Sequence, residues 1–316
     1  KTMEAQWPKE KRASEKAKKA TEKVDNPTVD DFWVVYAEWC GKNRRPNTLV
    51  AQRTAWNRFI ELTNCKHIGD INRKRVDTFI KKCEETDTIN AGGIANYITQ
   101  LKAIIGNAKR QDFYHGPNPF AGIARKKRGP EKRKFLTRNQ RDELLATLKD
   151  SNDAMYLFAA ICSYCGLRRG EAIHLRWEDV DLEKDQIFVQ GRMADKSAGI
   201  VEWQSKTGRN RNVPLAGELR AILVNRKQEK GYVLFSGFSR GRAQRTIDLE
   251  FPAIVKALKF DWCTSHSLRH TFASILLSEG VPIIYVSRWL GHANIQITVD
   301  TYGHLVKDGA EYIGRI

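Results

Sequence analysis

The 316-residue sequence lacks a long apolar run. Its best candidates, residues 221–224 and 283–286, are far shorter than the roughly 18 apolar residues that a membrane-spanning helix needs. The Lys-rich beginning has no secretory signal, and no Gly-x-x-x-x-Gly-Lys-Ser/Thr loop for a nucleotide is present. We therefore expect neither a membrane protein, nor a secreted one, nor an enzyme driven by ATP at such a loop.

Cysteine is also sparse. The chain is long enough to bury a core without disulfides, which predicts reduced thiols in a cytoplasmic protein at Cys40, Cys65, Cys83, Cys162, Cys165 and Cys263. Cys162 and Cys165 have the CxxC spacing of a zinc site, but the sequence has no second such pair to complete it. We therefore predict that these two thiols pack inside a helix and hold no metal.

Acidic residues are fewer than basic ones. Lys and Arg number 54 against 37 Asp and Glu, which gives a formal net charge of +17. Such an excess indicates a polyanionic partner such as nucleic acid. Hydrophobic residues make up 41% of the chain, so it can bury a core, and its length suggests two domains.

The first part of the chain divides into a basic segment and a helical domain. Residues 1–25 are rich in Lys, Ala and Glu, which indicates a leader or linker that is either solvated or in contact with nucleic acid. Because the chain begins at Lys1 rather than at Met, we expect further sequence upstream. Apolar residues then recur at helical spacing in four segments, which predicts an all-helical domain over residues 26–117. These segments begin near Pro27, Pro46, Asn72 and Asn90.

The helical pattern breaks at residues 116–119, where Gly-Pro-Asn-Pro cannot continue a helix. Residues 118–134 are therefore predicted to form a basic interdomain linker. Such a linker is either solvated or in contact with phosphates. Its candidate DNA-binding side chains are Arg125, Lys126, Lys127, Arg128, Lys132, Arg133 and Lys134.

A second domain is predicted over residues 135–316. Thr137 and Gln140 form a capping-box pattern ahead of an apolar run, and residues 155–165 continue as a helix. From residue 246 to residue 303 the pattern is again mainly helical. Between these helical regions, strand-like runs with intervening glycines lie at residues 186–190, 200–204, 211–215 and 232–235. The predicted fold class is mainly α with a small antiparallel β-sheet.

Two basic clusters in this domain carry side chains that bind oxyanions. At the end of an apolar helix, Arg168 and Arg169 lie between two glycines, where a guanidinium can hold an oxyanion with two parallel hydrogen bonds. Lys206 lies near the tip of the predicted hairpin, beside Arg209 and Arg211. Taken alone, these clusters are better explained as a surface arginine pair and a solvated basic turn.

Two histidine-containing clusters follow. His266, Arg269 and His270 share one face of a helix. Two such histidines are also compatible with zinc, but the HExxH pattern is absent and an arginine on the same face suits a phosphate better than a cation. Further along, His292 follows Leu-Gly, and Tyr302 ends a short helix that begins near Asn294. A tyrosine at a helix end is common in itself.

In this order, the motifs Gly-Leu-Arg-x-Gly-Glu, Ser-Lys-Thr-Gly, His-x-Leu-Arg-His, Leu-Gly-His and Thr-Tyr-Gly-His resemble those of the tyrosine recombinase (phage integrase) family. The resemblance covers residues 135–305. It implies an all-helical core-binding domain followed by a mixed α+β tyrosine-recombinase catalytic domain, as in lambda-integrase-like recombinases. The ten-residue step from His292 to Tyr302 is one residue longer than in many members.

The resemblance also assigns roles. The six catalytic positions correspond to Arg168, Lys206, His266, Arg269, His292 and Tyr302. Glu171 matches an acid that braces the arginines, and His270 matches a common neighbour of the second arginine. Arg209 and Arg211 remain candidates for DNA contact.

The chemistry implied by the resemblance is attack of Tyr302 on a DNA phosphodiester, which gives a 3′-phosphotyrosyl bond and a free 5′-hydroxyl. A phenol with a pKa near 10 needs help in losing its proton, and we assign that acid–base role to His266. Arg168 and Arg269 would hold the non-bridging oxygens, His292 would donate to the phosphate, and Lys206 would protonate the leaving oxygen. No cofactor is expected, neither a metal ion nor ATP.

The implied partners are double-stranded DNA at attachment sites and three further copies of the chain, in a homo-tetramer that joins two DNA sites through a Holliday junction. DNA-bending accessory proteins are compatible with this interpretation, and a membrane is not a partner. The most favoured function is a mobile-element integrase with an arm-binding domain upstream. The alternatives are a Xer-like resolvase, a type IB topoisomerase and a non-cleaving architectural DNA-binding protein.

Overall fold

The computed structural model describes residues 26–86, 89–123, 134–195, 197, 200–204 and 208–306. The chain divides into two compact units, with the boundary between Pro130 and Glu131. The described part of the first unit is helical, and the second unit combines helices with a small antiparallel sheet. This architecture confirms the predicted fold class. Along the described ranges, no helix combines the length and the apolar character that crossing a bilayer takes.

Four α-helices form the described part of the first unit: α1 (Val29–Asn43), α2 (Pro46–Thr63), α3 (Arg73–Glu85) and α4 (Ala91–Arg110). Three of them begin where the sequence provides a side chain that accepts a hydrogen bond from the first turn. Thr28 caps α1, Asn72 caps α3 and Asn90 caps α4, each through a backbone N–H three residues later. These caps confirm the helix starts that the sequence predicts.

The core of the first unit is aromatic and aliphatic. The rings of Phe32 and Trp56 lie with their centroids 5.7 Å apart, and those of Phe59 and Phe79 lie 5.3 Å apart. Leu101 of α4 is fully buried in the same cluster. The unit therefore has a hydrophobic core of its own, independent of the second unit.

The second unit begins with α5 (Arg138–Ser151), where Thr137 and Gln140 form the predicted capping box. Its centre is α6 (Asp153–Cys165), in which ten of thirteen residues are buried and which packs against α10. Cys162 and Cys165 are buried within α6 as free thiols, and burial raises the pKa of each. The remaining helices are α7 (Arg169–His174), α8 (Gly217–Val224), α9 (Arg240–Ala257), α10 (Ser265–Ser278), α11 (Ile283–Leu290) and α12 (Gln296–Tyr302).

The sheet has three antiparallel strands in the order β1 (Val180–Asp181), β2 (Gln186–Val189) and β3 (Arg211–Pro214). Ile187 pairs with Val213, and both side chains are fully buried. The predicted strands at residues 200–204 and 232–235 are wrong. Isolated bridges take their place, such as those of Trp203 with Arg192 and of Tyr232 with Arg176, because neither segment has a continuous partner strand among the described residues.

Candidate active site

Arg168 lies at the sharp turn between α6 and α7. α6 ends at Gly166, whose left-handed φ of 63° suits glycine, and a Cβ there would clash with the ring of Phe272. Two residues later, the backbone N–H of Arg168 donates to Oε2 of Glu171 at 2.8 Å, and its Nη1 donates to Oε1 at 2.8 Å. The turn therefore sets a partly exposed guanidinium beside a buried carboxylate.

Arg211 contacts the same carboxylate from β3. Its Nη1 and Nη2 donate to Oε1 and Oε2 of Glu171 at 3.0 and 2.6 Å, and its Nε donates to the carbonyl of Trp289 at 2.6 Å. Only 7% of the Arg211 side chain is exposed. The structure therefore places Arg211 inside the protein with all three guanidinium nitrogens hydrogen-bonded, and its contact with DNA stays a prediction.

Gly291 makes room for that guanidinium. It ends α11 with a φ of 65°, and a Cβ at this position would lie 2.9 Å from Cδ and 3.0 Å from Nη1 of Arg211. Glycine is therefore required at this position for two reasons, its left-handed backbone conformation and its close packing against Arg211. The Leu-Gly-His motif places Gly291 here.

Arg269 of α10 is 2% exposed. Its Nη1 donates to the carbonyl of Gly166 at 2.7 Å, and its Nη2 donates to the carbonyl of Leu290. These two carbonyls lie at the C-terminal ends of α6 and α11, where the helix dipole is negative. Oε2 of Glu171 lies 3.8 Å from Nη1. Arg269 is thereby held between two helix ends and a carboxylate.

The cluster has more positive than negative charge. Burial by itself raises the pKa of Glu171, but its hydrogen bonds to Arg211 and the charges of Arg211, Arg269 and Arg168 outweigh that effect and lower the pKa to about 2. Burial and then the charge of Arg168 lower the pKa of Arg269 to about 9, so the group stays protonated at neutral pH. Three guanidinium groups around one carboxylate favour an anionic ligand.

His292 follows Gly291 directly and is half-buried. Its Nδ1 lies 2.8 Å from Oγ1 of Thr298, which belongs to α12. Burial, followed by the charges of Arg269, Arg168 and Arg211, lowers the pKa of His292 to about 4. The imidazole is therefore neutral at physiological pH and has a single N–H.

Tyr302 lies at the C-terminal end of α12 and is 3% exposed. Its hydroxyl forms a hydrogen bond with Nδ1 of His270. The exposed ring of His266 lies edge-on to His270, with the centroids 4.5 Å apart. The Tyr302 hydroxyl is also close enough to Arg269 for their charges to interact. A negative charge on Tyr302 would raise the pKa of the Arg269 guanidinium.

This arrangement changes the expected partner of the tyrosine. The sequence interpretation assigns the acid–base role beside Tyr302 to His266, whereas the structure sets His270 against the hydroxyl. His270 lies one turn further along α10, on the side that α12 covers, and is buried where His266 is exposed. The ring of His266 thus packs against His270, which in turn is hydrogen-bonded to Tyr302.

Other predicted residues are placed differently or lie outside the described ranges. Lys206 lies outside them. Lys134 is exposed at the start of the second unit, and the exposed Arg209 donates to the carbonyl of Ala293 at 3.4 Å. The remaining linker candidates also lie outside the described residues, namely Arg125, Lys126, Lys127, Arg128, Lys132 and Arg133.

Sequence reasoning missed the inward roles of Arg211 and Thr298. The signal was present in both cases. Arg211 is two residues before Val213 on one strand, so the two side chains point to the same, buried side of the sheet. Thr298 is four residues before Tyr302 on one helix, so the two share a face, and both are buried.

The chain is similar to known recombinases and integrases. Residues 134–308 match the model of the phage integrase family. The chain is 32% identical over 175 residues to the tyrosine recombinase XerA of Thermococcus kodakarensis, covering 52% of this chain and 56% of that protein. It is 23% identical over 288 residues to the ICEBs1 integrase of Bacillus subtilis, covering 86% of this chain and 77% of that protein. The chain spans about half the length of the first curated relatives that it matches.

Solved structures show the same fold. The Tn1549 transposon integrase, in complex with a circular intermediate DNA, superposes with a TM-score of 0.68 at 19% identity, covering 90% of this chain and 99% of that one. Lambda integrase, as a tetramer bound to a Holliday junction, superposes with a TM-score of 0.62 at 16% identity, covering 85% of this chain and 79% of that one.

Proposed function

Because the chain belongs to the phage integrase family, we propose that it is a site-specific DNA recombinase of the mobile-element integrase type. The observation that carries the proposal is the hydrogen-bonded Tyr302 beside a cluster of three arginines and one carboxylate. A tyrosine can be the nucleophile, and the excess positive charge matches the phosphate that it would attack. The similarity to integrases of transposons and integrative elements supports the mobile-element assignment.

In the proposed reaction, Oη of Tyr302 attacks the phosphorus of a DNA phosphodiester and loses its proton. The bond between phosphorus and the 5′-oxygen breaks, and that oxygen takes up a proton as it leaves. His270 is placed to accept the phenol proton through Nδ1. Lys206 is the proposed donor to the 5′-oxygen, as the family resemblance implies.

Negative charge grows on the two non-bridging oxygens as Tyr302 attacks. Arg168 is the most exposed of the three guanidinium groups, and with Arg269 it would stabilise these oxygens. The neutral His292 would add one hydrogen bond. His266 is proposed to contact the phosphate from the exposed side, and neither a metal ion nor ATP is needed because these cations balance the charge.

Rejoining reverses the chemistry. The 5′-hydroxyl of another strand attacks the phosphotyrosine and releases Tyr302, so the energy of the broken bond is kept. Two sites held by four copies of the chain would exchange strands through a Holliday junction. Lambda integrase forms such a tetramer, which supports this assembly for the present chain. DNA-bending accessory proteins remain part of the proposal.

The test is incubation in EDTA with a nicked suicide duplex that carries the candidate attachment site. We expect a covalent adduct on a denaturing gel, which mass spectrometry maps to Tyr302. Tyr302→Phe removes the attacking hydroxyl and should abolish the adduct. Tyr285→Phe changes an exposed tyrosine of α11 and should leave the adduct intact.

An adduct that persists in Tyr302→Phe contradicts the assignment of the nucleophile. Tight binding without an adduct would instead indicate a non-cleaving architectural protein. Addition of a second site separates the remaining alternatives, because a recombinase joins two sites whereas a type IB topoisomerase only relaxes supercoils.

A further inference from the structure

His292 has one ring nitrogen engaged inside the protein. Its Nδ1 lies 2.8 Å from Oγ1 of Thr298. Within the part of the chain that the structure describes, its Nε2 has no hydrogen-bond partner. One nitrogen is therefore fixed by the fold, and the other is available to a ligand.

Thr298 is completely buried in α12. Over the described ranges, its hydroxyl has a single hydrogen-bond partner, which is Nδ1 of His292. A hydroxyl can donate or accept, so two arrangements of the protons are conceivable. Either Thr298 donates its proton to a bare Nδ1, or Nδ1–H donates to the threonine oxygen.

The two arrangements differ in what they leave unsatisfied. If Nδ1 carried the proton, the hydroxyl proton of Thr298 would be buried without an acceptor, which is costly. If Thr298 donates, its proton is satisfied, and the single proton of the neutral ring lies on Nε2. The environment of His292 keeps the ring neutral, because burial and three neighbouring arginines lower its pKa to about 4.

We propose that Thr298 is a positioning residue that fixes His292 as the tautomer with its proton on Nε2. The ring then offers an anion a hydrogen-bond donor, whereas the other tautomer would offer a lone pair and repel it. The identification of that anion as the scissile phosphate rests on the proposed function. The tautomer itself follows from the contacts of Thr298.

The first test needs no DNA. The protein is labelled with ¹⁵N at its seven histidines, and the ring signals of His292 are identified by their loss in His292→Ala. We expect a protonated Nε2 and a bare Nδ1 in the wild type and in Thr298→Ser, which keeps the hydroxyl. Thr298→Val keeps the branched shape without the hydroxyl and should shift the population toward Nδ1–H. A proton on Nδ1 in the wild type, or no change in Thr298→Val, would overturn the proposal.

The second test uses the suicide duplex. Thr298→Val should slow cleavage about tenfold with unchanged DNA affinity, while Thr298→Ser should remain within about threefold of the wild type. In a His292→Ala background, Thr298→Val should have no further effect, because Thr298 acts through His292. Equal slowing in both backgrounds would show a packing role and overturn the proposal. If the wild type does not cleave, the proposed function fails while the NMR result stands by itself.

Discussion

The two units bury polar groups of different kinds. In the described part of the first unit, the buried polar residues are all neutral, namely Gln52, Thr63 and Asn107. The second unit buries charge, including Glu171, Arg269 and Arg240. Burying a charge costs several kcal/mol unless it is paired and hydrogen-bonded. The first unit shows that this chain can build a core without that cost, so the buried charges of the second unit need another explanation.

That explanation differs within the second unit. Arg240 donates to four backbone carbonyls and stacks on Tyr232, which is a structural role. The cluster of Arg168, Arg211 and Arg269 around Glu171 also braces the fold, but it holds more positive charge than its carboxylate balances. What distinguishes the cluster from Arg240 is that part of the Arg168 guanidinium stays exposed to a ligand, whereas the Arg240 guanidinium donates only to backbone carbonyls.

The largest loss of stability in the second unit is expected from a change at Glu171. Glu171→Gln should lower the free energy of unfolding at pH 7 by about 3–5 kcal/mol, because it leaves buried guanidinium groups without their carboxylate. Hydrogen exchange of peptides from residues 134–306 would measure the loss in the second unit. Glu183→Gln, at an exposed acid, should stay within about 0.5 kcal/mol. A loss at Glu171 as small as that at Glu183 would contradict the assigned role of the cluster.

Low pH should remove the stabilisation that the ionised Glu171 gives to the second unit. The pKa of Glu171 lies below its ordinary value, so its ionisation stabilises the fold above pH 4.5, and this stabilisation is lost as the pH falls toward 2. We expect the difference in unfolding free energy between the wild type and Glu171→Gln to shrink over that window by about 3 kcal/mol. Urea unfolding at several pH values measures it. A difference that does not vary with pH would show that Glu171 is not ionised in the fold.

A glycine substitution tests the packing of the cluster rather than its charge. Gly291→Ala should cost about 1–3 kcal/mol, because the backbone is left-handed there and the new Cβ would press against Arg211. Gly217→Ala is the matched control, since that position has open space and an ordinary φ. Thermal unfolding should give a lower Tm for Gly291→Ala than for Gly217→Ala. Equal stability would contradict both the backbone strain at Gly291 and its close packing against Arg211.

The smallest effect is expected in the first unit. Gln52 accepts hydrogen bonds from the hydroxyl of Tyr36 at 2.8 Å and from the thiol of Cys40 at 3.3 Å. Gln52→Leu should cost about 1–2 kcal/mol, since the Tyr36 hydroxyl would be left buried without an acceptor. The double variant with Tyr36→Phe should recover most of this loss. Denaturant unfolding with peptide-resolved exchange would test both, and a loss as large as that at Glu171 would remove the contrast between the units.

Local signals in the sequence predict much of the fold. The helix starts expected near Pro27, Asn72 and Asn90 are found, with caps at Thr28, Asn72 and Asn90, because a cap depends only on residues three positions apart. The strand expected at residues 232–235 fails, since a strand needs a partner that no local pattern specifies. Strand propensity alone therefore predicted more sheet than the described residues form.

In the candidate site, too, local patterns predict which residues are present but not which distant residues they contact. The order of the motifs predicts Arg168, Arg269 and Tyr302 as site residues. In the structure both arginines lie against Glu171, and Tyr302 is close enough to Arg269 for their charges to interact. The helical spacing of His266 and His270 could not tell which of them meets Tyr302, because that depends on how α12 docks on α10. The role of Arg211 was missed because its basic hairpin suggested solvent, although the alternation along β3 indicated the interior.

Arg269 bridges α6 and α11, and this bridge has a consequence for the chain during its synthesis. Its first acceptor, the carbonyl of Gly166, lies 103 residues earlier in the chain, and its second, the carbonyl of Leu290, lies 21 residues later. During synthesis the earlier helix is made long before the later one, so the arginine stays incompletely held until α11 has folded. The Tyr302 helix is made later still. A nascent chain that ends before α11 and α12 therefore has neither the second acceptor of Arg269 nor Tyr302, so the cluster on which the proposed function rests is complete only after both helices are made.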